Sequence, residues 1–108
     1  MTTYFHGSSH LIDATLPGST CIAKEMFYAL SYAVRRSPGS GFIYVFELDA
    51  ASDVEIKRDA NGDFDDYTLA RETTFTERIP VTAEVIEKCK TEERAYFLKH
   101  SGVSPQDL

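Results

Sequence analysis

The chain has 108 residues, 43% of them hydrophobic and 26% charged, and seventeen acids against eleven bases give a formal net charge of −6. That size and composition describe one ordinary globular domain and leave no room for a second. The bases are not gathered into a stripe, which argues against a nucleic-acid partner, and a domain this small buries roughly 60% of its unfolded surface in one modest core, too little to enclose a large cofactor.

Cys21 and Cys89 stand far apart without CxxC or paired-ligand spacing, so neither a zinc site nor a disulfide scaffold is expected. Reduced thiols fit a cytoplasmic setting. The start, Met1-Thr2-Thr3-Tyr4-Phe5-His6, carries neither a basic stretch nor a long apolar run, and no apolar run approaches a membrane span. The expectation is an untargeted cytoplasmic protein with no membrane contact. The negative charge serves solubility, and it also suits a surface that seeks a basic patch on another protein.

In chain order, Tyr4-Phe5-His6 reads as a short aromatic strand stopped by Gly7-Ser8-Ser9. Pro17-Gly18-Ser19 breaks the loosely apolar stretch of Leu11, Ile12 and Leu16, and Thr20 to Ala23 follow as a second short strand. From Lys24 to Arg36, the residues Met26, Phe27, Leu30, Ala33 and Val34 recur at three- and four-residue intervals, which predicts a helix. Arg35 and Arg36 suit its last turn, and Ser37-Pro38-Gly39 stops it.

Phe42 to Leu48 is β-branched or aromatic almost throughout and predicts a central strand covered on both faces. Val54 to Lys57 alternates as a further strand, and Asp59 to Asp66 forms a polar, turn-rich loop. Thr73 to Val81 and Ala83 to Ile86 supply β-formers around Pro80, which marks an edge or a bulge. Thr91 is placed to cap a last helix, with Glu92 and Glu93 in its first turn, Lys99 and His100 in its last, and Gly102 beyond.

Three constellations fail on geometry. His6 and His10 have the spacing of metal ligands on a helix, but Gly7, Ser8 and Ser9 between them argue against a helix, so no metal is expected. The carboxylates from Asp59 to Asp66 lack the glycine and glutamate register of a calcium loop. Nothing in the spacing pairs Cys21 or a serine with a histidine base.

An ordered set of pieces says more. A strand ending Tyr4-Phe5-His6-Gly7-Ser8 is followed by Leu16-Pro17-Gly18-Ser19, then by Cys21-Ile22-Ala23 leading into Ala29-Leu30-Ser31-Tyr32-Ala33. The strand Phe42 to Leu48 comes next, and Thr76-Glu77-Arg78-Ile79-Pro80-Val81 last. From Tyr4 to about Ile86 this order resembles the ADP-ribosyltransferase superfamily. The likeness is to its small histidine-tyrosine-acid type, which includes the poly-ADP-ribose polymerases and the rifampin-modifying transferases.

The resemblance implies an α+β fold with a split, curved, mostly antiparallel sheet, one main packed helix and a C-terminal helix. It implies that NAD is bound as substrate by His6, Gly7 and Ser8. The histidine takes a ribose hydroxyl, and the glycine lets its backbone approach the nicotinamide amide. Glu77 matches the acid that steadies the oxocarbenium-like state, with Glu72 as the alternative. The family's stacking tyrosine falls on Cys21 here, and Tyr32 is the aromatic placed to substitute. The implied activity is transfer of ADP-ribose to a protein target, in keeping with a phage, toxin or defence effector. Two alternatives are a non-catalytic acidic interaction protein on the same fold and an enzyme that hydrolyses NAD without an acceptor. In each catalytic case the expected site is a cleft with the His6 imidazole and the Glu77 carboxylate facing each other.

Overall fold

The computed structural model describes residues 1–33, 37–58 and 65–101. The chain forms strand β1 (Thr2–Ser8), two-residue strands β2 (Thr15–Leu16) and β3 (Cys21–Ile22), and helix α1 (Met26–Ala33). Strands β4 (Phe42–Leu48), β5 (Val54–Arg58), β6 (Asp65–Leu69), β7 (Thr73–Thr74) and β8 (Glu77–Pro80) then lead to helix α2 (Ala83–Ser101). This is an α+β domain with antiparallel pairing throughout the described ladders. The helix end expected at Arg35 and Arg36, the acidic loop from Asp59 through Phe64, Gly102, and the side chains of Tyr32 and His100 lie outside the described residues.

One sheet has the order β1-β4-β8 and a second β3-β6-β5, while β2 and β7 pair by themselves. Among the described residues one antiparallel bridge, Phe5 to Ala23, joins the first sheet to the second, with both amides bonded at 2.7 and 2.8 Å. Among the described residues no further backbone bond joins β1 to β3, although the His6 side chain reaches the Cys21 carbonyl.

Side chains alternate across a strand, and β1 and β4 keep their register over seven pairs, from Thr2 opposite Leu48 to Ser8 opposite Phe42. Tyr4, Tyr44, Phe46 and Leu48 lie on one face, packed against Leu16, Ile22, Val54 and Leu69. Phe5, Ile43 and Ile79 lie on the other, packed against Met26, Phe27 and Leu30 of α1 and Ile86 and Cys89 of α2. β4 is thus covered on both faces, as its continuous apolarity predicts. Pro80 ends β8, the edge strand of its sheet, where its missing N–H costs no ladder bond.

Residues 83–86 are helical and not a strand, which corrects the expectation drawn from their β-forming composition. Thr82 supplies the cap, its Oγ1 accepting the Val85 N–H at 3.3 Å. Val85, Ile86 and Cys89 recur at helical spacing and pack on α1, and that packing overrides local propensity. Thr91 is consequently interior to α2 and bonds back to the Glu87 carbonyl at 3.1 Å.

Candidate functional site

The candidate site lies at the end of the first strand, where β1 meets β3. The His6 side chain is half-buried there, and its Nδ1 lies 2.7 Å from the Cys21 carbonyl oxygen. A carbonyl only accepts, so Nδ1 carries the proton and the neutral ring leaves Nε2 as an acceptor. Burial pushes the imidazole below its ordinary pKa, with the Cys21 carbonyl bond acting the other way, so the neutral form prevails at pH 7. The result is an oriented ring with one committed nitrogen and one available to a hydroxyl donor.

Gly7 follows with a distinct problem of hydrogen bonding. In an antiparallel ladder, the residues of one strand alternate between bonding the neighbour on one side and pointing away from it. Phe5 directs its N–H and C=O to Ala23, away from β4, so Gly7, two residues on, directs its own the same way. Beyond the Phe5–Ala23 bridge, none of the described residues bonds the Gly7 backbone on that side. Gly7 is nevertheless buried. A donor and an acceptor on a buried residue, side by side and directed to the β3 side, make an uncommon arrangement that a partner with both functions would satisfy.

The corner is held by close packing from β4. A Cβ on Gly41 would overlap the Ser8 carbonyl oxygen and stand 2.9 Å from the Ser9 Cα, so only glycine lets β4 begin so near the end of β1. Ser8 itself is buried, and its Oγ accepts the His10 N–H at 3.1 Å. Cys21 is exposed, and its carbonyl, more than its thiol, is what it gives the site. Tyr32 lies on α1, with its side chain outside the described residues.

The expectation that His6 and Glu77 face each other is corrected by the register. His6 pairs with Tyr44 and Tyr44 with Arg78, whereas Glu77 pairs with Val45, which pairs with Phe5. His6, Tyr44 and Arg78 therefore share one face, and Glu77 stands with Phe5 on the helix-covered face, exposed at the start of the edge strand. Because strand side chains have a period of two, Glu77 and Arg78 could not both stand beside His6. Glu72, the alternative acid, lies between β6 and β7 and accepts from the Thr15 hydroxyl at 2.8 Å.

Two residues of that shared face were not singled out from the sequence. Tyr44 is fully buried, with its ring centroid 6.4 Å from that of His6. Its hydroxyl accepts the Ile12 N–H at 2.7 Å and donates to the His10 carbonyl at 2.8 Å. Arg78 donates to the Ile12 carbonyl at 3.0 Å, with its guanidinium 5.7 Å from the Phe42 ring centroid. A tyrosine in a strand covered on both faces is itself a signal, since its hydroxyl must find a partner inside.

Among the described residues no group of three or more His, Cys, Asp and Glu side chains is arranged to hold a metal ion. No helix of the described residues is long and apolar enough to cross a membrane. No protein-family model, curated protein or solved structure matches the chain.

Proposed function

We propose that this chain binds NAD by its nicotinamide riboside end at the His6–Gly7 corner and passes ADP-ribose to a protein, as a divergent domain of the ADP-ribosyltransferase kind. The Gly7 backbone carries the reading. A carboxamide offers an NH2 donor and a carbonyl acceptor, the complement of a buried C=O and N–H that have no partner on that side among the described residues. The His6 Nε2, an acceptor by the tautomer argument, suits a ribose hydroxyl. The split antiparallel sheet, one helix packed on its back and a second completing the core are in keeping with the same family.

Transfer also needs a carboxylate near the ribose as the glycosidic bond breaks, because a fixed negative charge lowers the barrier to an oxocarbenium-like state. Glu77 stands on the wrong face for that role. Glu72, tethered by Thr15, is the carboxylate we assign to it. NAD should raise the melting temperature of the native chain, increasingly as its concentration exceeds the dissociation constant, and leave that of His6→Ala unchanged. With labelled NAD and a protein acceptor, Glu77→Gln should keep its labelling and Glu72→Gln should lose it. A native chain whose melting temperature ignores NAD would overturn the reading.

A second reading is a non-catalytic acidic interaction protein on the same fold. The exposed thiol of Cys21, where the resemblance calls for a stacking ring, favours it, as does the separation of His6 and Glu77. A native chain whose melting temperature does not respond to NAD would select it.

A further inference from the structure

We infer that Tyr44 is the positioning residue of the candidate site, its buried hydroxyl holding His10 to Ile12 as a preformed wall on the face where His6 stands. The inference rests on the proposed NAD site and adds to it which residue builds the wall and that the wall is fixed before ligand arrives.

The segment after Ser8 is a loop without ladder bonds of its own, and such loops are ordinarily the most mobile parts of a small domain. Here each of its backbone contacts is made by a residue of the sheet. The Ser8 Oγ takes the His10 N–H, the Tyr44 hydroxyl takes the Ile12 N–H and gives its proton to the His10 carbonyl, and Arg78 holds the Ile12 carbonyl. Tyr44 makes two of these bonds from a position of zero exposure, and Ser8 is also buried. The Tyr44 ring is in addition fixed by Phe75, with centroids 4.8 Å apart, so its hydroxyl has no freedom to follow the loop. The loop follows the hydroxyl. Since Tyr44 is also the cross-strand partner of His6, one side chain ties the wall to the imidazole.

A structural role alone would lower stability without touching ligand recognition, so the test compares two variants. Tyr44→Phe keeps the ring and strands the Ile12 N–H and the His10 carbonyl. Leu69→Ala opens the same core cluster and leaves all four of these hydrogen bonds their partners. Titrated with NAD at a temperature where all are folded, Tyr44→Phe should bind about tenfold more weakly than the native chain, and Leu69→Ala should bind as the native chain does. Ile12→Pro, which removes the same bond from the loop side, should reproduce the loss. Amide exchange at Ile12 should be slow in the native chain and fast in Tyr44→Phe. Binding by Tyr44→Phe within about twofold of native, or a rapidly exchanging Ile12 amide in the native chain, would overturn the inference. A native chain that does not bind NAD at all overturns the site reading and this one with it. The Ile12 exchange then shows whether the clamp itself was real.

Discussion

His6 is placed where burial and hydrogen bonding oppose each other. Desolvation disfavours its charged form more than the Cys21 carbonyl bond favours it, and its pKa falls below the ordinary value of 6.5. When the folded value is the lower one, the unfolded chain takes up its proton first as pH drops. The stability that neutral His6 confers is complete above 6.5 and is lost as pH falls through the folded value. The urea midpoint of the native chain should therefore fall between pH 7 and pH 5, and the fall should be shallower in His6→Gln. Equal slopes in the two proteins would assign the effect to other groups. At this scale the sequence was only partly legible. His6 and Gly7 could be marked from a strand stopped by glycine and serine, but the side of the sheet that Glu77 takes depends on a register of single residues. No composition or motif reports that register, and the one-residue difference between Glu77 and Arg78 decides which charge shares the face of the imidazole.

At the scale of elements, α1 begins without an acidic residue in its own first turn. The missing acceptor comes from the other helix, where Glu92 Oε1 accepts the Phe27 N–H at 3.1 Å. This is a cap supplied across a tertiary contact, and it satisfies one of the N–H groups that every helix start leaves unpaired. Glu92→Ala should cost about 1 kcal/mol in denaturant unfolding, and Glu92→Gln, which keeps an acceptor, clearly less. An unchanged midpoint in Glu92→Ala would mean that water serves the amide equally well. β4 and α1 were readable because each repeats one pattern over seven or eight residues. β2 was not, being two residues directly before Pro17-Gly18, whereas β3 and β7 fall inside the stretches Thr20 to Ala23 and Thr73 to Val81 that read as β-formers; β6 opens with Asp65-Asp66, which reads as loop. The start of α2 was misread because Val85 and Ile86 favour strands, while their spacing to the buried Cys89 held the helical signal.

For the molecule as a whole, β4 lies between two apolar clusters and contributes to both, Tyr44 and Phe46 to one and Ile43 to the other. The clusters are therefore not independent. Phe46→Ala should cost about 3–5 kcal/mol, and far-UV circular dichroism and tyrosine fluorescence should still follow one shared transition. Two separate transitions would show that the faces melt apart.

The cap that Glu92 gives to α1 also bears on how the chain is made. An early element waits for a late one: while α2 is still inside the ribosome, α1 lacks both its acceptor and the apolar cover of Ile86 and Cys89. β1 likewise needs β4, and β4 needs β8, so pairings distant along the chain must close before local order is rewarded. Folding of this domain therefore waits on α2, the late partner of its first helix.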